Sequence, residues 1–259
     1  MKKYIQFFKT IIICSLLRSS AFQIDFWLRI VMDLVYYSSL FAVYYSVYLF
    51  TDNLNGWDFR ATLFLLAIWF LIDSFHMAFL ATGTWSLPSV VNQGLFDSYL
   101  LKPVNCFIFS FFNKFEPSSF YNLLLSVGFL VIVAFKFEIT AIELITFICI
   151  FPVALLTSVF LRVLFILPCF FLETPYAFMR LFMTLKDYGT SPSDIFPPLV
   201  RYILGILLPF LVIASLPAKF IVLQNMETLF VVALGSSLIS IFTIWMWNKA
   251  INHYQSASS

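Results

Sequence analysis

Residues 61–81 read "ATLFLLAIWFLIDSFHMAFLA", and this stretch decides the fold. Its ionisable residues are Asp73 and His76, and the rest is almost entirely apolar. A run of about twenty apolar residues is long enough for an α-helix to cross the hydrocarbon core of a bilayer. The stretch therefore predicts a membrane-spanning helix.

The rest of the chain has the same character. Of its 259 residues, 62% are hydrophobic and 11% are charged, whereas soluble domains average roughly 25% charged residues. The excess apolar surface must face lipid. The apolar runs do not alternate in segments of about ten, as the strands of a porin-like barrel would. The sequence predicts an all-α polytopic membrane protein with a single transmembrane domain over residues 1–259.

The apolar runs predict six transmembrane helices. They lie at about 26–50, 61–81, 107–135, 141–172, from near 199, and at about 229–247. Pro152 and Pro168 predict a bend in the fourth helix. Pro209 and Pro217 predict that the fifth helix breaks, so that 209–228 is a re-entrant segment before the last span.

The polar stretch 173–198 is the least certain part of this topology. We expect a cytoplasmic segment there, made of an amphipathic helix and an irregular loop. The alternative makes 160–185 an extra span. It would put the C-terminus outside the cell unless another segment failed to cross.

Lysine and arginine predict the orientation, because they are enriched in cytoplasmic flanks. Nine fall on the side of the N-terminus: Lys2, Lys3, Lys9, Arg18, Lys102, Arg180, Lys186, Arg201 and Lys249. Three fall on the other side: Arg60, Lys136 and Lys219. We therefore expect both termini and the loop 83–105 in the cytoplasm. Residues 1–22 have lysines on one side and apolar residues on the other, which predicts an interfacial helix.

The loop "SLPSVVNQGLFDSYLLKPVN", residues 86–105, is much longer than a plain connection needs. Its apolar residues alternate with polar ones between two prolines, which favours a short amphipathic helix or a pair of turns. Such a loop suits a docking element for a soluble partner.

Ionisable residues at membrane depth are functional candidates. They are Asp25, Arg29, Asp33, Asp73, His76, Lys114, Glu116 and Arg162. Asp25, Arg29 and Asp33 share a helix face, either as a structural ladder or as a contact to a partner subunit. Asp73 and His76 could form an interhelical hydrogen bond or a proton relay.

Lys114 and Glu116 precede Pro117, where an ion pair beside a kink or a gate is expected. Arg162 is expected to snorkel toward the cytoplasm or to meet Glu173.

Other classes of function lack their motifs. The two histidines lie far apart and no Cys/His cluster occurs, so we expect no metal in this chain. The net charge of +2 gives no reason to expect a nucleic-acid partner. No GxxxxGK[ST] phosphate loop occurs, so transport driven by ATP would need a second chain as the ATPase.

Several blocks resemble permease subunits of the type-2 class of ATP-binding-cassette (ABC) exporters, specifically a family of small six-span permeases. They are "NQGLFDSYLLKPVN" (92–105), "SPSDIFPPLVRYILGILLPFLVIASLPAKFIV" (191–222), "HYQSASS" (253–259) and "LNGWDFRATLFLLAIWFL" (54–71). The blocks cover nearly the whole chain in the family's order. One departure is "KDYGTSP" (186–192), where the family has an aromatic or basic residue directly before the proline.

The resemblance implies a coupling helix within 84–105 that docks into an ATPase. The residues that map to it are Pro88, Val91, Gly94, Leu95, Asp97, Leu100, Leu101, Lys102, Pro103 and Asn105. It also implies two ATPase subunits, which would hold ATP and Mg, and a second permease subunit, identical or related. The chain would lie in a bacterial inner membrane, in contact with membrane lipid.

The function expected on these grounds is export of an amphipathic or lipid-like substrate, with no catalytic residue in this chain. Two other functions stay open. The chain could be a membrane anchor that recruits a soluble ATPase without transport. It could also be a lipid-modifying enzyme that uses His76 and Asp73.

Overall fold

A computed structural model describes residues 2–21, 23–172, 176–224 and 226–254. Helices and turns build this part of the chain, and no strand occurs in it. The helices are α1 Lys2–Ala21, α2 Gln23–Tyr48, α3 Phe59–Phe79, α4 Ala81–Asn92, α5 Asp97–Leu100, α6 Cys106–Phe112, α7 Pro117–Lys136, α8 Ala141–Ile166, α9 Tyr176–Lys186, α10 Pro198–Tyr202, α11 Ser215–Leu223 and α12 Met226–His253. Glu173, the expected partner of Arg162, lies outside the described residues.

Five helices of the described chain are long and apolar enough to cross a bilayer: α2 from Phe26, α3, α7, α8 extended to Phe170, and α12 from Glu227. They fall on the predicted runs, with the third run divided in two. The prediction of a polytopic helical membrane protein is therefore confirmed.

Helix α3 is the centre of the bundle. Residues 61–74 are all buried, and α2, α7, α8 and α11 pack around the helix. At its start the side chain of Asp58 accepts a hydrogen bond from the backbone N–H of Ala61 at 2.8 Å, which satisfies one of the free donors of the first turn. The stretch that predicts a lipid-facing span is thus enclosed by protein.

The bundle has two ends, which we define by contacts. At the coupling end, Phe96 lies 5.0 Å from Phe170 and 5.1 Å from Tyr254 between ring centroids. At the loop end, Trp57 donates through Nε1 to the carboxylate of Asp194 at 2.8 Å. Each helix that contributes to both ends crosses the bundle.

The segment after α8 crosses the bundle by this criterion. It starts beside Phe170 at the coupling end, passes Asp73 at Lys186 (3.8 Å between Nζ and Oδ1), and reaches the loop end, where Tyr44 donates to the carbonyl of Thr190 at 2.8 Å. The far end of this segment meets the loop around Trp57 through Asp194, and the prediction that 173–198 is a cytoplasmic segment stays a prediction. Residues 176–190 connect the two ends.

The next segment enters and leaves from the loop end. Arg201 and Lys219 both contact Asp194, at 2.8 and 2.7 Å. Between them the chain dips inward, and Phe210 packs 5.9 Å from Phe165. The helix that starts at Pro198 ends in a π-helical turn at Leu207. The chain thus forms a hairpin over 198–223 in the described structure, and the predictions of a fifth helix from near residue 199 and of a re-entrant segment over 209–228 stay predictions.

The third predicted helix is divided by Pro117. Helix α6 ends at Phe112, and α7 begins with Pro117 in its first turn, where a proline costs no hydrogen bond. Helix α1 lies along α6 through the pair Phe7 and Phe109, at 5.7 Å.

Gly83 and Gly128 provide a test of this packing. A Cβ added at Gly83 in α4 would lie 2.5 Å from the backbone carbonyl oxygen of Phe111, whereas one at Gly128 in α7 meets nothing within 4 Å. We expect Gly83→Ala to lower the free energy of unfolding by about 1–3 kcal/mol, measured as a lower apparent Tm in detergent.

Gly128→Ala is the matched control, since it has the same helical context and the same added methyl group. It should leave the apparent Tm unchanged or raise it slightly. Equal losses in the two variants would contradict the close approach of α4 and α6.

Candidate functional site

The loop between α4 and α6 is ordered by backbone and side-chain hydrogen bonds. Gly94 has φ 70°, in the left-handed region, and its N–H donates to the carbonyl of Val91 at 3.1 Å. The short helix α5 follows. Asn105 then caps α6, and its Oδ1 accepts from the N–H of Phe107 at 2.9 Å. The loop therefore presents one defined surface at the coupling end.

The residues predicted to dock a partner divide into two groups. Exposed are Leu95, Leu100, Leu101, Lys102, Pro103 and Asn105; Gly94 and Asp97 are half-buried. Pro88 and Val91 are buried in α4 and pack inward. Pro88 and Val91 thus support the loop, while Leu101, which is 85% exposed, is its most accessible apolar side chain.

Phe96 anchors this loop, and the sequence analysis missed it. It is fully buried and packs on Phe170, at the end of the fourth helical run, and on Tyr254, directly after α12. Trp247 of α12 lies 6.0 Å from Phe170 and 5.1 Å from Phe107. The sequence signal that could have identified Phe96 is an aromatic residue between Leu95 and Leu100 in an otherwise polar loop. The loop is therefore coupled to α8 and α12.

Tyr254 adds a polar element to this contact. Partial burial, together with the negative charge of the nearby Asp97, raises the pKa of Tyr254. The hydroxyl therefore stays protonated at neutral pH.

A charge cluster lies inside the bundle around Asp73. Its carboxylate is 3.5 Å from Arg162 of α8, 3.8 Å from Lys186 of α9, and 3.4 Å from the hydroxyl of Tyr37 of α2, which donates to it. In the sequence, Asp73 and Arg162 lie in two different apolar runs, and neither has a neighbour of opposite charge close by. Lys186, expected in a cytoplasmic segment, was not recognised as their neighbour.

The other predicted charges are distributed over several contacts. Arg29 pairs with Glu116 at 3.8 Å, so the expected pair of Glu116 with Lys114 is not formed, and Lys114 is exposed. Asp33 accepts a hydrogen bond from Asn122. The side chain of Asp25 lies outside the described part of the structure. Of the ladder on α2, Arg29 and Asp33 therefore each contact the third helical run.

His76 does not share a hydrogen bond with Asp73. It is buried, with 5% of its surface exposed, and its Nε2 has no hydrogen-bond partner among the described residues. Asp73 uses its oxygens on Arg162, Lys186 and Tyr37 instead. The arrangement gives no support to an acid-base pair of Asp73 and His76.

Asp194 is a second polar centre that the sequence did not reveal, because "SPSD" is typical of a turn. Its carboxylate contacts Lys219, Arg201 and the indole N–H of Trp57. Burial of Asp194 opposes its ionisation. The hydrogen bonds from Lys219 and Trp57 and the positive charges of Lys219 and Arg201 outweigh this effect, so the pKa of Asp194 is lowered. The carboxylate ties the hairpin to the loop around Trp57.

The turn at Gly94 can be tested directly. We expect Gly94→Ala to open residues 93–105 about fivefold more often, because a left-handed residue with a Cβ costs about 1 kcal/mol. Gly94→Pro should be worse, since proline cannot reach this φ and removes the N–H bonded to Val91. Limited chymotrypsin cleavage within 93–105 measures this opening.

Gly94→Asn is the control, because asparagine tolerates the left-handed region. Its cleavage rate should stay close to that of the unaltered chain. If all three variants are cleaved at the same rate, the turn does not organise the loop.

A comparison with known protein families identifies the chain's relatives. The family model described as "ABC-2 family transporter protein" matches residues 34–258. No curated protein and no solved structure matches the chain.

Proposed function

Because the chain belongs to the ABC-2 family of transporter proteins, in which it is a membrane permease, we propose that it exports an amphipathic substrate with energy from a separate ATPase. Two ATPase subunits bind ATP and Mg²⁺ in the cytoplasm, and a second permease, identical or related, completes the transporter. The complex lies in a bacterial inner membrane.

The observation that carries this proposal is the construction of the loop 93–105. Leu95, Leu100 and Leu101 are exposed, while Phe96 is fully buried between the ends of α8 and α12. Exposed leucines on an ordered loop suit a groove in a soluble partner. The buried phenylalanine suits transfer of the partner's motion into two spans.

We further propose six crossings, the fifth formed by 176–190. The hairpin 198–223 then dips into the membrane from the outer side without crossing, which keeps both termini in the cytoplasm. In this topology Lys186 is internal and Arg201 lies outside with Lys219. The bias of lysine and arginine falls from nine against three to seven against four, still toward the cytoplasm.

Docking can be tested by placing an aspartate at each of two apolar positions that are similarly exposed. Leu101 is 85% exposed at the coupling end, and Phe50 is 91% exposed at the loop end. Leu101→Asp should reduce co-purification of the ATPase at least tenfold, because a charge replaces an apolar contact in the groove. Phe50→Asp should leave the amount of ATPase unchanged.

The yield of each variant in the membrane shows whether it folds and inserts. Equal capture of the ATPase by both variants would contradict docking at this loop. ATPase capture without any nucleotide-dependent change in cross-linking between α8 and α12 would favour the membrane-anchor function instead.

The topology can be tested by labelling single cysteines in a chain lacking its four native ones. Ile195→Cys should react from the same side of the membrane as Asn53→Cys, and from the side opposite to Ser98→Cys. All three residues are exposed. Labelling of Ile195→Cys from the side of Ser98→Cys would show that 176–190 does not cross.

A further inference from the structure

A small cavity lies beside the charge cluster, between α3, α4, α8 and α9. Its volume is about 20 Å³, close to the space that one water needs. His76, Arg162 and Phe182 line its inner part, and Trp85, Met179 and Met183 line the rest. The cavity is separate from the docking loop.

Arg162 and Lys186 bring two positive charges beside this cavity, and Asp33 and Asp187 act on Lys186 from farther away than Asp73 does. Asp73 is the one carboxylate within 4.0 Å of either Arg162 or Lys186 among the described residues. Arg162 is 5% exposed, and its contacts are long: 3.5 Å to Asp73 and 3.4 Å to the carbonyl of Ser158. Charge-assisted hydrogen bonds are normally about 2.7–2.9 Å. The contacts of the buried guanidinium are therefore longer than those of a well-formed ion pair.

His76 contributes a second polar group. It is 5% exposed and lines the cavity, and its Nε2 lacks a hydrogen-bond partner within the described chain. A buried polar atom left without a hydrogen-bond partner destabilises the folded state. A ligand oxygen that reached both Arg162 and His76 would remove that destabilisation.

The outer part of the cavity is apolar and partly open. Trp85 is 42% exposed and Met183 is 38% exposed, so they form a rim at the surface of the bundle. Methionine side chains adapt easily to ligands of different shape. A ligand that fits has a charged head toward Arg162 and an apolar body toward lipid.

We propose that this cavity is the closed form of a binding site for the phosphomonoester headgroup of an anionic amphipathic lipid. This inference rests on the proposed function, since such a molecule inside a permease is its cargo. Arg162 and His76 bind the phosphate oxygens, and the acyl chains leave past Trp85 and Met183 into the bilayer.

Movement of α9 opens the site, because Met179 and Met183 of this helix line the cavity. Along this helix Phe182 is the one buried side chain, and most of the others are exposed. Few buried contacts hold the part of α9 before Phe182, which lowers the cost of moving it. Displacement of Met179 and Met183 enlarges the cavity while Lys186, at the end of the helix, stays on Asp73.

The test uses the full chain purified in a neutral detergent. Its apparent Tm is measured with phosphatidic acid, with phosphatidylcholine of the same acyl chains, and with inorganic phosphate. Phosphatidic acid should raise the apparent Tm, because a ligand that binds the folded state stabilises it. Arg162→Gln and His76→Phe should weaken this binding about tenfold or more.

The variants are chosen to fold. Arg162→Gln leaves Asp73 paired with Lys186, and His76→Phe leaves all three charges in place. Arg180→Gln is the matched control: Arg180 is an exposed arginine on α9 that does not line the cavity. This variant should retain the full shift.

Each outcome decides the matter. An unchanged shift in both Arg162→Gln and His76→Phe, or an equal shift with phosphatidylcholine, would overturn the site. A full shift with inorganic phosphate, lost in the same variants, would assign the site to soluble phosphate compounds and overturn the lipid. Variants that lose the shift yet still capture the ATPase would separate this inference from the proposed function.

Discussion

The carboxylate of Asp73 joins three segments of the bundle to α3. Tyr37 reaches it from α2, Arg162 from α8 and Lys186 from α9. A charge at this depth is tolerated only with partners, because desolvation is expensive and lipid supplies none. Lys186 also lies 5.8 Å from the ring centroid of Trp69. Through Lys186 these contacts hold residues 176–190 against α3, between the two ends of the bundle.

The two ends of the bundle are built from different kinds of contact. At the coupling end, aromatic side chains around Phe96 pack against the ends of α8 and α12. At the loop end, ion pairs dominate: Asp194 with Lys219, and Arg60 with Glu143 at 2.7 Å. The loop 93–105 is thus joined to the spans by close aromatic packing, whereas charged contacts join the segments at the loop end. The cavity beside Arg162 lies between these two ends.

Much of the fold could be predicted from the sequence, and the two segments that could not be placed are both short and irregular. The runs at α2, α3, α7, α8 and α12 are long and apolar, so length alone identified them. Whether 160–185 forms an extra span stayed open, because Lys186 and Asp187 follow a short helix and their charges are typical of a solvent-exposed segment. From near residue 199 the prolines predict a break, but hydropathy does not distinguish lipid from protein as the neighbour of the apolar residues. There Gly205 packs against Gly235 of α12, and the chain turns back.

The sequence by itself determined that this chain is a helical membrane protein, that it lacks a phosphate loop, and that an unusually long polar loop lies between its second and third apolar runs. These properties depend on local composition and on the thickness of a bilayer. Only the tertiary structure decided which residues meet: Phe96 with Tyr254, Asp73 with Lys186, Asp194 with Trp57. Those partners are 113 to 158 residues apart, counting from the sequence numbers. Because helix packing rather than helix formation brings them together, no local pattern records the pairing.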